Sequence, residues 1–128
     1  MTERPTDGSV VRVLTAEGRE VAGSVTVASG LWSRFLGLMG RRGLGEGEGL
    51  LLVPCGSIHM FFMRIPLDVA FLDRDRRVVR TVHGIRPWRA TLPVRHARQA
   101  LEVAAGGLTA AGVEVGSQLD FAAPLHFS

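Results

Sequence analysis

At 128 residues the chain fits one domain, and 46% hydrophobic with 21% charged residues is the balance of an ordinary globular protein, which excludes a fully disordered chain. Sixteen glycines and six prolines favour a turn-rich, largely β architecture over a helical bundle. The formal charge is +3 and all fifteen basic residues are arginine, scattered and interleaved with acids, so a nucleic-acid partner is disfavoured.

Residues 1 to 8, rich in Thr, Pro, Asp and Gly, read as a disordered leader, with a single domain from 9 to 128. The opening MTERPTDGS lacks an apolar signal core, and no run approaches the roughly 18 apolar residues of a membrane-spanning helix. Cys55 is the sole cysteine, so no intrachain disulfide can form; together these features predict a cytoplasmic protein.

Alternating apolar residues predict strands at about 10 to 15 and 20 to 28, joined by a turn at Ala16 to Arg19. Leu31, Phe35 and Leu38 recur at helical spacing after a capping Ser29, which predicts a short helix over about 30 to 39. The glycine-rich GLGEGEG segment is a loop, and GLLLVP a short strand buried on both faces.

Residues 53 to 73, VPCGSIHMFFMRIPLDVAFLD, hold the densest combination of reactive and apolar side chains. Cys55, Ser57, His59, Phe61 and Met63 share one parity and would share one strand face, until Pro66 interrupts the run. In the following LDVAFLD strand, Leu67, Val69 and Phe71 fall on one side and Asp68, Ala70 and Leu72 on the other. A carboxylate among apolar neighbours is costly unless satisfied, so Asp68 must have a partner.

DRDR then forms a tight turn, with Arg74, Arg76, Arg77 and Arg80 around it as a solvated edge, and RVVRTVH returns as a hairpin strand. GIRPWRATLPVRHA, carrying Trp88, is an irregular loop over a sheet edge. QALEVAAG is a strand, GLTAAG a single helical turn and SQLDFA a closing strand.

Four motifs in order carry a family resemblance: RFLGLM at Arg34 to Met39, IHMFFMRIPLDVAFLD, LEVAAG and VGSQLDF. The chain from about Ser9 onward resembles the domain of unknown function 192 family, an uncharacterised ancient conserved region. The resemblance implies a compact, mostly β domain of bacteria and archaea with no established activity, here expected to be bacterial. Carried over to this chain, the polar positions of the family pattern fall on Arg34, Met63, Arg64, Asp68 and Glu102. Many members carry a tryptophan at the position of His59.

Three chemistries compete with a purely structural reading. Cys55 as thiolate, His59 as base and Asp68 as orienting carboxylate would make a cysteine-dependent hydrolase or thiol enzyme. Cys55 and His59, four apart on an extended strand, lie roughly 13 Å from one another unless the chain bends at Gly56 or Ser57. Cys55, His59 and Met63 are soft donors suited to copper(I), with His83 and His96 as supplementary ligands, but the same spacing opposes their meeting at one ion. A binding pocket demands less exact geometry: Arg34 and Arg64 offer forks to a carboxylate or phosphate, with His59, Asp68 and Glu102 completing the site. In the structural reading, Arg34, Asp68 and Glu102 form a buried network that pins the helix to the sheet.

The sequence thus predicts an α+β, mostly β domain, with a bent antiparallel sheet or partly open β-barrel and one main short helix. Its best functional reading is a small binding or accessory module for a small molecule or peptide, with an anionic ligand and no cofactor.

Overall fold

The computed structural model describes residues 8–28, 44–53, 67–85 and 94–125. The expected helix over 30 to 39, the first half of the central stretch and the Trp88 loop lie outside the described residues, as does the leader apart from Gly8.

Among the described residues there are seven strands and one helical turn: β1 Val10–Thr15, β2 Glu20–Ala28, β3 Glu48–Leu52, β4 Leu67–Leu72, β5 Val78–Ile85, β6 Gln99–Ala104, α1 Gly107–Ala110 and β7 Leu119–Ala122. They make one curled, half-barrel sheet in the order β5-β4-β6-β3-β2-β1-β7. Most neighbours are antiparallel, as expected, but β2 and β3 pair in parallel, with Thr26 opposite Leu50. A parallel pair needs a long connection, and residues 29–47 supply it where a hairpin turn could not.

The ends of the strand order meet at one point. Arg77 bridges Gln118, the Val78 N–H donates to the Ser117 carbonyl at 2.8 Å, and the Leu119 N–H donates to the Arg76 carbonyl at 3.1 Å. The two edges of the curled sheet therefore touch where β5 and β7 begin. The Arg76 guanidinium stacks 4.1 Å from the centroid of the Phe121 ring, so one of the four arginines assigned to a solvated edge packs against this seam instead.

Strand alternation sorts the apolar residues into two cores. All seven strands contribute to the inner one, among them Val13, Val25, Leu51, Ala70, Val78, Leu101 and Leu119, and Leu108 of α1 joins them fully buried. The other face of the central strands holds Leu50, Leu52, Leu67, Val69, Phe71 and Ala100. β3 and β4 are covered on both sides, which for β3 explains why its sequence reads as a continuous apolar run. β4 divides as its parity dictates, with Ala70 and Leu72 in one core and Leu67, Val69 and Phe71 in the other.

Candidate functional site

Asp68 sits near the start of β4 with 1% of its surface exposed. Its Oδ1 accepts the Gly84 N–H at 2.9 Å and its Oδ2 accepts the Gly106 N–H at 3.0 Å. The β4–β5 register explains the first bond: Leu67 faces Ile85 and Val69 faces Val82, so Asp68 stands opposite both His83 and Gly84 in a β-bulge. Gly84 has φ +63°, a left-handed conformation that suits glycine. Gly106, with φ +89°, makes the turn from β6 into α1. One carboxylate thus fastens a bulge and a turn that are far apart in sequence. His83 Nδ1 lies 3.5 Å from Asp68 Oδ2, its side chain half exposed.

Glu102 lies on β6, between Leu50 of β3 and Val69 of β4. Its parity matches Ala100, so its side chain belongs to the outer face, opposite that of Asp68. It is 0% exposed, and neither carboxylate oxygen has a hydrogen-bond partner among the described residues. Arg12 Nε and Gln99 Oε1 share this condition, but of the three side chains only Glu102 is wholly buried. Burial pushes the Glu102 carboxyl up to about 7, because ionisation there has no water to support it. Such a group can hold or release a proton near neutrality, or bind a donor.

Of the residues nominated from sequence, Arg34, Cys55, His59, Met63 and Arg64 lie outside the described residues. Asp68 and Glu102 occupy adjacent strands but opposite faces. Among the described residues no group of three or more metal-ligating side chains occurs, and His96 sits exposed in a turn at φ +66°. His83 is the neighbour of Asp68 that sequence reasoning missed. Pairing Asp68 across the DRDR hairpin would have pointed to it.

A cavity of about 660 Å³, lined by none of the nominated side chains, opens where the β1–β2 turn, the β2–β3 connection and the β6–α1 turn converge. Arg19, Glu20, Glu46 and Glu48 supply its charge, while Gly106 and Gly107 form part of one wall. Asp68 reaches this wall only through its bond to the Gly106 amide.

A half-barrel of this topology, with a buried acid on each face of its central strands, defines a small β domain of a recognised but uncharacterised class. Residues 12–121 match the family model DUF192, described as an uncharacterised ACR, and the chain belongs to that family. It is 34% identical over 110 residues to the UPF0127 protein of Pyrococcus furiosus, covering 82% of this chain and 92% of the relative. A UPF0127 protein of Thermococcus sibiricus is 33% identical over 110 residues, covering 82% and 70% respectively. These sequence relatives are archaeal, so they do not bear out the expected bacterial source.

Two crystal structures share the fold. A Novosphingobium aromaticivorans protein of unknown function superposes with a TM-score of 0.73 at 26% identity, covering 93% of this chain and 91% of that one. A Sinorhizobium meliloti protein, provisionally described as a transcription regulator, gives 0.76 at 26% identity, covering 92% and 98%. No helix among the described residues is long and apolar enough to cross a membrane.

Proposed function

We propose that this domain is a cytoplasmic, non-enzymatic binding module whose site centres on Glu102, on the outer face of β3, β4 and β6. The observation that carries the reading is the fully buried Glu102 carboxyl, which has no partner for either oxygen among the described residues. Leaving such a group unsatisfied costs about 1–3 kcal/mol, and a site that gains a partner on binding recovers that cost. Arg34, His59 and Arg64 are the side chains proposed to complete the site, with the two arginines offering forks to an anionic group. Asp68 supports the scaffold from the other face by fixing the Gly84 and Gly106 amides.

The cysteine-dependent reading draws less support. Both oxygens of Asp68 already accept backbone N–H groups, and the imidazole of His83 lies beside it.

A thermal-unfolding screen of the full chain over phosphates, carboxylates, nucleotides and small peptides tests the binding reading, because a ligand of the folded state raises its stability by mass action. A stabilising ligand whose effect disappears in Glu102→Gln is the expected result. No response to any member of the screen would sink the proposal.

A further inference from the structure

We infer that the cavity of about 660 Å³ at the β6–α1 end of the curled sheet binds a short peptide of small residues by its two free, oppositely charged termini. This site is independent of Glu102. The cavity lining includes Ala22, Val103 and Ala111, which belong to the inner core, whereas Glu102 faces the outer one.

The charges around the cavity set the class of ligand. The Arg19 guanidinium and the Glu20 and Glu46 carboxylates belong to exposed residues that line it, and none of the three groups has a hydrogen bond or ion pair among the described residues. Glu48 differs, because its Oε1 accepts the Gly45 amide at 2.8 Å. The two signs stand apart. A Cβ placed on Gly23 would collide with the Glu20 carboxylate, so that group lies over Gly23, whose amide donates to the Gly47 carbonyl at 3.0 Å, next to Glu46 in the chain. Both free acids therefore belong to the β2–β3 side. The guanidinium reaches another way: its Nη1 lies 3.4 Å from where a Cβ of Gly112 would stand, just past α1.

A ligand that satisfies both sides carries a cation and an anion held apart by a body of its own. A free amino acid puts both charges on one carbon and is small for the volume, whereas a short peptide spaces its ammonium from its carboxylate. The ammonium offers three donors to the two acids, and the terminal carboxylate matches the planar fork of Arg19. The apolar lining consists of alanine, valine and glycine, among them Ala22, Val103 and Gly107. Such a lining offers methyl-sized contacts rather than a deep apolar slot, which fits side chains of alanine size.

The test uses the full chain, labelled with nitrogen-15, and trialanine as probe. Two blocked forms serve as controls: N-acetyl-trialanine, which lacks the ammonium, and trialanine amide, which lacks the terminal carboxylate. Trialanine is expected to shift the amide signals of Gly47, Ala104 and Gly107 saturably. Each blocked form should bind at least about fivefold more weakly, the scale of one charge pair at an exposed site. In the double variant Glu20→Gln with Glu46→Gln, the acetylated and free peptides should bind alike; in Arg19→Met, the amide and the free peptide should bind alike. All three side chains are exposed, so these variants keep the fold, which an unchanged melting temperature checks.

The absence of a saturable shift at these amides with trialanine overturns the proposal. So does equal binding of trialanine and either blocked form by the wild type, a comparison that needs no variant: indifference to acetylation marks a plain anion site, and indifference to amidation a plain cation site. Shifts that persist at full strength in both charge variants would show that binding does not use these groups, and would overturn it as well.

Discussion

Asp68 and Gly84 meet across a β-bulge, the carboxylate Oδ1 lying 2.9 Å from the glycine amide. The same carboxylate holds the Gly106 amide, so the geometry of the β4–β5 pair and of the β6–α1 turn depends on one side chain. Replacing Asp68 with Ala strands two donors in a site that is 1% exposed. At about 1–3 kcal/mol for each orphaned donor, Asp68→Ala is expected to lose about 2–6 kcal/mol in urea unfolding. Asp68→Asn retains one acceptor and turns a donor toward the other amide, so its loss should be smaller but still clear. A midpoint unchanged in both variants would remove the pinning role.

Gly84 offers a separate measure of the same device. A Cβ at this position would meet no atom within 4 Å, so any cost of Gly84→Ala comes from its φ of +63° and not from a clash. The left-handed region costs a residue with a Cβ roughly 1–2 kcal/mol, and that is the expected loss in thermal or urea unfolding. The effects of Gly84→Ala and Asp68→Ala should not add, because both act on one bulge. Additive losses in the double variant would show that the two residues act independently.

The strands and the requirement for a partner at Asp68 were legible in the sequence, for different reasons. Alternation alone placed β1, β2, β4 and β5 and divided β4 between its two faces, because period-two patterning survives wherever each face meets a distinct core. The identity of the Asp68 partners was not legible. They are backbone amides at Gly84 and Gly106, 16 and 38 residues away, and an amide leaves no mark in a sequence beyond a glycine that admits positive φ. The burial of Glu102 was hidden for a topological reason. β6 lies between β4 and β3, neither adjacent to it in the chain, and only that strand order places Leu50 and Val69 on either side of the carboxylate. The parallel β2–β3 pair was missed because pairing direction depends on the connection, which strand patterning does not encode.

The seam between β5 and β7 makes a third prediction. Arg76 accepts a hydrogen bond from the Leu119 amide through its carbonyl and stacks its guanidinium 4.1 Å from the centroid of the Phe121 ring. Phe121→Leu keeps most of the apolar contact with the inner core and removes the π face. It should lower stability by about 0.5–1 kcal/mol. Local opening should increase as well, so amide exchange at Leu119 should quicken more than exchange at core positions such as Leu101. Equal acceleration at both amides would mean that the ring stabilises the whole sheet and has no special part in closing the seam.

Glu102 gives the domain a pH dependence of unusual sign for a carboxylate. Below its ordinary value of 4.5 the acid is protonated in both the folded and unfolded states and adds no slope. Between 4.5 and about 7 the folded state keeps a proton that the unfolded state has released, so stability falls as pH rises. Above about 7 both states are ionised and the penalty is complete, at about 3 kcal/mol. Leu50 and Val69, its neighbours across the sheet, do not titrate, so no group beside it there offsets the trend. Glu102→Gln keeps the shape and removes the proton equilibrium. The stability difference between that variant and the wild type, measured by urea unfolding from pH 4 to 8.5, should therefore grow in favour of the variant across this window and then level off. A difference that stays flat would mean that the folded protein ionises Glu102 at its ordinary pH, and hence that a counter-charge already reaches it.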